Sequence, residues 1–268
     1  MYGNLAVKKN IQFLKNKIEF ISPQMIEGKA KAPEPEDVLE YILKKFGFSS
    51  ALKNKKVLMT AGPTIEHIDP VRVITNQSTG KTGLSLASEL ISAGAKVTLV
   101  YGPGEEKPPN GAKIINVLSS KEMLNAVKTE LKKKFDIVIM TAAVADYIPT
   151  NPSKKKIKSS KDKIEISLKK APKIIDQIKK LQKNVLLVGF KAETNLTKNQ
   201  LIKSAQKKLK ESSSDMIVAN DIGSSRYKKN PQNNQVIIVD TEKVAVSKWM
   251  NKQKIAKFIK KQIEQKIK

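Results

Sequence analysis

The chain has 268 residues, of which 51 are Lys or Arg and 25 are Asp or Glu, so its formal net charge is +26. Cysteine is absent and His67 is the single histidine, which excludes disulfides, thiolate metal sites, a cysteine nucleophile and a multi-histidine metal centre. No apolar run reaches the roughly 18 residues of a membrane span, and lysines stand where a signal peptide would be apolar, so we predict a cytoplasmic protein without a membrane partner.

The first 48 residues differ in pattern from the rest of the chain. They contain, in order, a helical spacing, a short strand, a turn-rich loop and a second helix: Leu5, Ile11 and Leu14; Phe20–Ile21; SPQMIEGKAKAPEPED; and Val38–Phe46. About fifty residues rarely bury a core of their own. We interpret residues 1–48 as a short N-terminal appendage, the end of another domain, followed by a linker at 49–54.

Residues 55–268 alternate between apolar strand-like runs and amphipathic segments. This alternation predicts βαβ units and hence a single α/β domain with a Rossmann-like, doubly wound parallel sheet. The predicted strands are Val57–Thr60, Val97–Tyr101, Ile114–Leu118, Asp136–Thr141, Val185–Phe190, Met216–Asn220 and Val236–Asp240. The predicted helices are Lys81–Ala93, Ser119–Lys133, Pro172–Leu181, Lys198–Lys210 and Ser247–Lys266.

The segment Tyr147–Lys170 interrupts the alternation. It holds two prolines, a lysine cluster at 154–158, and then Ile164, Ile166 and Leu168 in alternation with polar residues. This pattern predicts a flap or β-ribbon with a strand at Lys163–Leu168 that covers a site or pairs with a second subunit. The alternative is a solvated lysine loop. An alternating strand leaves an exposed edge unless it is paired, so we predict a homodimer.

The stretch 59–83, MTAGPTIEHIDPVRVITNQSTGKTG, follows the first strand of the α/β part and leads into a helix. Backbone N–H groups at a helix start favour anions, and the groups expected to face a ligand are those of Gly62, Ser78, Thr79 and Gly80. Arg72, one of two arginines in a chain that otherwise uses lysine, indicates a site that needs a planar, bidentate donor. Aromatic residues make up only 5% of the chain, so anionic small molecules are favoured over nucleic acid as ligands.

Two standard nucleotide motifs are excluded in this stretch. Gly80–Thr82 matches the end of a P-loop, but that motif requires glycine where Thr75 stands, and no G-x-G-x-x-G follows the first strand. The strand–loop–helix setting is nevertheless Rossmann-like.

Five sequence blocks in fixed order give a more specific indication. The signature AGPTIEHIDPVRVITNQSTGKTG is followed by TAAVADY (141–147), KIK (156–158), VGFKAETN (188–195) and IVAND (217–221). Together they resemble the phosphopantothenoylcysteine synthetase family of coenzyme A biosynthesis. Residues 1–48 are similar to the C-terminal tail of the flavoprotein decarboxylase that is often fused ahead of the synthetase. Its flavin-binding part lies upstream, so we expect no FMN here, and a separate flavoprotein decarboxylase is a candidate partner.

The resemblance implies a ligase that joins 4′-phosphopantothenate to L-cysteine through an acyl-cytidylate, with Mg²⁺ and with CTP as the expected nucleotide and ATP as the alternative. Activation of a carboxylate against a nucleotide phosphate gathers negative charge, which lysines, amide donors and a divalent cation offset. No protein nucleophile is needed because the cysteine amine attacks. The competing interpretation is a non-catalytic nucleotide- or nucleic-acid-binding remnant of a split bifunctional protein.

By matching position, the resemblance assigns the acyl-substrate roles. Asn76 would donate its amide to the substrate carboxylate and the mixed anhydride, and Arg72 would hold the loop or the substrate phosphate. Lys156 matches the first lysine of the family's KxKK motif and would meet the nucleotide phosphates. The last position of that motif is Ser159 here, which leaves Lys158 as a candidate replacement.

The resemblance also assigns the nucleotide roles. Asp146 would reach the triphosphate or its Mg²⁺, and the residues that shape or contact the nucleotide pocket would be Ala142, Ala143, Phe190, Lys208, Asn220 and Asp221. A second family lysine, four residues after Lys208, is Ser212 in this chain.

Overall fold

The computed structural model describes residues 4–21, 23–26, 29–35, 38, 41–42, 51–158 and 163–267. The chain divides into two compact units, Met1–Ser50 and Ala51–Lys268. The larger unit begins inside the stretch predicted to be a linker, and Leu52 is fully buried in its core. No helix in the described ranges is long and apolar enough to cross a membrane.

The smaller unit contains helix α1, Leu5–Leu14, and a hairpin of strands β1, Gln24–Ile26, and β2, Lys29–Lys31. The predicted strand at Phe20–Ile21 is wrong, because both residues lie outside strands and no described strand runs beside them. Instead, β1 and β2 pair with each other within the segment that was predicted to be a loop. Of the predicted helix at Val38–Phe46, positions 38, 41 and 42 are helical and the others lie outside the described residues.

The larger unit is a three-layer α/β domain. Its strands are β3 Lys56–Ala61, β4 Ile65–His67, β5 Val73–Thr75, β6 Lys96–Tyr101, β7 Lys113–Asn116, β8 Ile137–Met140, β9 Tyr147–Pro149, β10 Leu168–Lys170, β11 Leu186–Glu193, β12 Met216–Asp221, β13 Asn233–Asn234, β14 Val236–Asp240, β15 Val244–Val246 and β16 Met250–Asn251. Its helices are α2 Lys81–Ser92, α3 Ser120–Leu131, α4 Ile175–Leu181, α5 Lys198–Glu211, α6 Ser225–Lys229 and α7 Lys252–Ile267.

The central sheet has eight strands in the order β15-β14-β12-β11-β8-β3-β6-β7. The strands from β12 to β7 run parallel, while β14 and β15 are antiparallel at one edge. The sheet is therefore mainly parallel, as predicted, with an antiparallel edge that the alternation of elements did not indicate.

Helices cover both faces of this sheet, which confirms the doubly wound prediction. Leu58 and Met59 are successive residues of β3 and are buried on opposite faces of the sheet, because successive side chains of a strand point to opposite sides. Helices α2 and α7 pack on the face of Met59, and α3 and α4 pack on the face of Leu58. Helix α5 packs against the outer strands β12 and β14.

The connection after β3 contains a hairpin that the sequence did not predict. Strands β4 and β5 pair antiparallel within the signature stretch. The buried Glu66 on β4 accepts a hydrogen bond from the Ser120 backbone N–H at the start of α3 (2.8 Å), which attaches the hairpin to that helix.

The flap contains a second hairpin, in which β10 pairs antiparallel with β9. The predicted strand at Lys163–Leu168 is wrong in its bounds: residues 163–167 have no regular secondary structure and the strand is Leu168–Lys170. Within the described ranges, Leu168–Lys170 pair with Tyr147–Pro149, whereas residues 163–167 have no strand partner. This pairing sets the bounds of β10.

Candidate functional site

A cavity of about 1330 Å³ opens where the order of the sheet reverses. From β3 the chain first adds β6 and β7 on one side, and then β8 on the other side. In open α/β sheets ligands bind at the carboxyl ends of strands at such a reversal. The cavity exceeds the roughly 300–1,000 Å³ of a single-ligand pocket, so it has room for a nucleotide and a second substrate.

The loops that follow β3 and β8 are joined by hydrogen bonds beneath the cavity. The Ala143 N–H donates to the Gly62 carbonyl (3.0 Å), and the Ala145 N–H donates to the Thr64 hydroxyl (3.0 Å). Gly62 has a φ of 79°, and a Cβ there would lie 2.6 Å from the Gly102 carbonyl oxygen. Gly62, predicted to bind substrate, lies outside the cavity lining, and its positive φ and close approach to Gly102 require glycine.

Asn76 lines the cavity and connects these two loops. Its amide nitrogen donates to the carbonyl oxygens of Ala143 (3.1 Å) and Val144 (3.2 Å). An amide oxygen in that place would face two acceptors, so the contacts fix the orientation of the side chain. Both amide hydrogens are engaged, and donation to a substrate requires that one of these contacts be exchanged.

Ser78, Thr79 and Gly80 line the cavity at the start of α2. The Gly80 N–H and the Lys81 N–H donate to the hydroxyls of Ser78 and Thr79 over 3.4 Å each, at the long end of hydrogen-bond distances. Weakly engaged N–H groups at a helix start are suited to an anion. The predicted anion-binding turn is thus placed at the cavity.

Arg72 lies outside the cavity lining and contacts another part of the chain. Its guanidinium donates to the Asp69 carboxylate (2.5 Å) and to the Ile157 carbonyl (3.2 Å). Asp69, which is buried, also accepts from the backbone N–H groups of Val71, Arg72 and Ile157. Arg72 and Asp69 therefore attach residue 157 to the signature stretch.

The electrostatics of Asp69 follow from these contacts. Burial acts to raise the pKa of its carboxyl, but hydrogen bonds from the Ile157, Val71 and Arg72 N–H groups and from the Arg72 side chain outweigh burial, so the pKa is far below its ordinary value. The carboxylate therefore remains ionised. Asp69 was not among the predicted site residues, although its spacing of three residues from Arg72 is a signal for an ion pair.

Lys156 lies on the lysine arm, which we define as residues 150–158. Its side chain is exposed and lies outside the cavity lining. Its neighbours are fixed: the Ser153 N–H donates to the Ile68 carbonyl (2.8 Å), and Ile157 contacts Asp69 and Arg72. Lys158 is exposed, and Ser159 lies outside the described residues.

Another wall of the cavity holds the residues predicted to contact the nucleotide. Ala142, Ala143 and Phe190 line it near the ends of β8 and β11, and Lys208 lines it from α5. The Lys208 ammonium lies 3.7 Å from the Asp176 carboxylate. Ser212 is buried, and its hydroxyl donates to the Lys208 carbonyl (2.7 Å), so Ser212 completes the helix end instead of supplying a cation.

Asp146, Asn220 and Asp221 differ in their placement. Asp146 and Asn220 line the cavity, whereas Asp221 accepts from the Asn195 and Gly223 N–H groups and stabilises a turn. Within the described ranges no three His, Cys, Asp or Glu side chains converge on one metal position. Mg²⁺ is commonly held by one or two carboxylates and the substrate phosphates, and the exposed Asp146 fits such a site.

The cavity wall also contains a polar group that sequence reasoning missed. Glu193 accepts from the Ser204 hydroxyl (2.6 Å) and pairs with the Lys191 ammonium (3.2 Å). The Ser204 hydrogen bond, followed by Lys191, lowers the pKa of Glu193. The block VGFKAETN contains both Lys191 and Glu193, so their spacing of two residues on one face of a strand was the available signal.

Comparison with known proteins gives the following relatives. The sequence pattern of the DNA/pantothenate metabolism flavoprotein C-terminal domain matches residues 52–267. The coenzyme A biosynthesis bifunctional protein CoaBC of Thermococcus kodakarensis is 40% identical over 266 residues, which cover 98% of this chain and 64% of that protein. The protein of the same name from Methanocaldococcus jannaschii is 37% identical over 271 residues, with coverage of 98% and 66%. The chain thus spans slightly less than two thirds of these relatives.

A solved structure agrees with these relatives. The crystal structure of the C-terminal domain of coenzyme A biosynthesis bifunctional protein CoaBC superposes with a TM-score of 0.67 at 34% identity, covering 80% of this chain and 98% of that one. The mainly parallel sheet with helices on both faces is therefore common to both.

Proposed function

This chain belongs to the family of the DNA/pantothenate metabolism flavoprotein C-terminal domain, and from that premise we propose that it is a phosphopantothenate–cysteine ligase of coenzyme A biosynthesis. One observation carries the proposal. A single cavity at the reversal of the sheet is lined by the Asn76 loop, the TAAVADY strand end and the lysines of α5.

The proposed reaction has two steps. An oxygen of the 4′-phosphopantothenate carboxylate attacks the α-phosphorus of CTP and pyrophosphate leaves, which gives an acyl-cytidylate. The amine of L-cysteine then attacks the acyl carbon and loses a proton, an amide bond forms, and CMP leaves. The Asn76 amide offers a donor to the acyl oxygen, and the weakly engaged N–H groups at Gly80 and Lys81 offer positive ends of dipoles to anionic oxygens.

Residues of the cavity and the lysine arm would bind the nucleotide and its cation in this reaction. Ala142, Ala143 and Phe190 offer an apolar wall to the nucleoside, and Lys208 offers a cation to the phosphates. Asp146 would hold Mg²⁺ together with the nucleotide phosphates, and the metal would offset their charge. Lys156 would approach the phosphates from the lysine arm.

The proposal extends to the setting of the enzyme. We place it in the cytoplasm as a homodimer, with a separate flavoprotein decarboxylase acting on its product. The +26 charge favours anionic substrates at the cavity through long-range attraction.

The test is pyrophosphate release measured with every combination of nucleotide, phosphopantothenate and cysteine. We expect release that requires both CTP and phosphopantothenate, and formation of phosphopantothenoylcysteine only when cysteine is added. Release with ATP in place of CTP would overturn the nucleotide choice. Absence of release, together with DNA binding whose affinity falls steeply with salt, would favour the non-catalytic nucleic-acid binder instead.

A further inference from the structure

Lys208 and Asp176 form an ion pair without a hydrogen bond. The Lys208 ammonium lies 3.7 Å from Oδ1 of Asp176, which exceeds the roughly 2.7–3.2 Å of a protein hydrogen bond. Across the described ranges the Lys208 ammonium makes no hydrogen bond, and the buried Oδ1 accepts none. The Lys208 side chain is only 14% exposed. An ammonium with three donors and a buried carboxylate oxygen therefore both lack the hydrogen bonds that they can make.

The same parts of the chain form a second ion pair at a shorter distance. The ammonium of Lys179 on α4 lies 2.7 Å from the carboxylate of Asp215, the residue just before β12. The Asp215 carboxylate also accepts from the Leu187 N–H on β11 (2.7 Å). The longer distance between Lys208 and Asp176 is therefore not imposed by a general separation of α4 from the end of α5.

Both side chains extend from elements that are fixed to the core. Ile174 and Ile178, one helical turn apart, are buried in the cluster beneath α4. Leu209, the neighbour of Lys208, is buried in the cluster beneath α5. The backbone positions of Lys208 and Asp176 are thus set by packing, and the long lysine side chain is the part that can adjust to a ligand.

Lys208 lines the cavity and Asp176 does not. Lys208 lies in the cavity wall with Ile175, whereas the next residue, Asp176, is outside the lining. An anion in the cavity can therefore contact the ammonium but not the buried oxygen of Asp176. The ammonium can donate to this anion without losing an existing hydrogen bond, and hydrogen bonds between charged groups are the stronger ones.

We propose that Asp176 is a positioning residue for Lys208, whose ammonium it holds at the cavity wall for a nucleotide phosphate. The inference rests on the proposed ligase function, in which Lys208 offers a cation to the phosphates. An unrestrained lysine side chain occupies many rotamers, and ordering it during binding lowers the affinity. Attraction to the Asp176 carboxylate restricts these rotamers before the nucleotide arrives, so less ordering is left for the binding step.

This role has an effect opposite in sign to that of charge alone. A carboxylate near a triphosphate repels it, so its removal should strengthen nucleotide binding if only charge matters. Asp176→Asn should instead weaken binding, because Lys208 loses its orientation. The weakening should also require Lys208, since Asp176 acts through that ammonium. A residue that only stabilises the fold would not show this dependence on Lys208.

The experiment is a double-mutant cycle of Asp176→Asn and Lys208→Gln, in which CTP and ATP are each titrated by calorimetry with Mg²⁺. Glu211→Gln is the control for charge, because it removes a carboxylate of α5 that lines the cavity. Asp215→Asn is the control for structure, because it removes the carboxylate that pairs with Lys179 outside the cavity lining. Thermal unfolding of each variant measures its stability.

We expect Asp176→Asn to weaken nucleotide binding roughly two- to ten-fold, the effect of ordering one long side chain, and Lys208→Gln to weaken it more. Adding Asp176→Asn to Lys208→Gln should cause no further loss. Glu211→Gln should bind the nucleotide at least as tightly as the wild type, and Asp215→Asn should match the wild type. The KM for phosphopantothenate should be unchanged in Asp176→Asn.

Three results would overturn the inference alone: unchanged or tighter nucleotide binding by Asp176→Asn, an equal loss with and without Lys208, or an equal loss in Asp215→Asn. A wild type that binds neither nucleotide is a different result, because it refutes the nucleotide step of the proposed function and the role of Asp176 together with it.

Discussion

At the scale of single residues, Asn76 gives the first prediction. Its amide donates to the Ala143 and Val144 carbonyls, so Asn76→Asp places a carboxylate against two acceptor oxygens and near an anionic substrate, whereas Asn76→Ala removes the contacts without a new charge. We expect both variants to lose on the order of 100-fold in kcat, the usual effect of one lost donor to a developing oxyanion.

Steady-state kinetics separate the two variants. Asn76→Asp should additionally raise the KM for phosphopantothenate, and both should retain the thermal stabilisation by CTP. Turnover of Asn76→Ala at the wild-type level would show that the amide has no part in the chemistry.

Asp69 gives a prediction about pH. Because its pKa is lowered in the folded protein, its stabilising contribution is complete above the ordinary value of 3.8 and is lost as the pH falls from there towards the folded value. Asp69→Asn should therefore be less stable than the wild type by a constant difference from about pH 7 to about pH 5, and the difference should shrink below about pH 4. Urea denaturation of both proteins across this range measures it. A difference that grows with acidity would contradict the assignment.

Part of the predicted set of site residues lies at the cavity. Asn76, Ser78, Thr79, Gly80, Asp146 and Lys208 were predicted to bind ligands, and each lines the cavity. Asp69 was missed although its ion pair with Arg72 is local. Its contact with the Ile157 N–H joins residues that are distant in the chain, and such a contact becomes visible only when the fold brings them together.

At the scale of elements, the lysine arm gives a prediction about proteolysis. Ser153 and Ile157 fix it on the signature stretch, so cleavage by a lysine-specific protease at 154–158 should be slow in the wild type and faster in Asp69→Asn. Bound CTP with Mg²⁺ should slow cleavage further in the wild type by supplying negative charge to Lys156, and it should have no effect in Lys156→Gln. Equal cleavage rates with and without CTP in the wild type would support the alternative that the arm is a solvated loop.

The accuracy of the predicted elements depended on their length. Helix α2 was predicted at Lys81–Ala93 and spans Lys81–Ser92, because its buried residues Leu84, Ala87 and Leu90 repeat over three turns. Strands β4 and β5 have three residues each, too few to show a period, and their pairing depends on the turn between them. The antiparallel direction of β14 is set by its packing beside β12, which a local pattern does not encode.

At the scale of the whole molecule, exposed apolar side chains cluster in sequence at two of the hairpins of the larger unit, β4–β5 and β9–β10. Val71 precedes β5 and Val73 is its first residue. Ile164 and Ile166 precede β10 and Leu168 is its first residue. The exposed fractions of these five side chains lie between 40% and 64%. The hairpin of β9 and β10 has two short strands, and an isolated two-stranded hairpin is marginally stable in water.

The homodimer prediction follows from this exposure. Pairing of residues 163–168 with the same segment of a second copy would extend the hairpin and cover its apolar side chains. We expect a dimer by light scattering at micromolar concentration, and a monomer for the double variant Ile164→Lys with Ile166→Lys. The matched control is Val244→Lys, since Val244 is 42% exposed on β15, an edge strand of the central sheet and not part of the β9–β10 hairpin, and should leave the dimer intact. A wild-type monomer would refute the prediction, and a dimer that survives the double variant would place the interface on another surface.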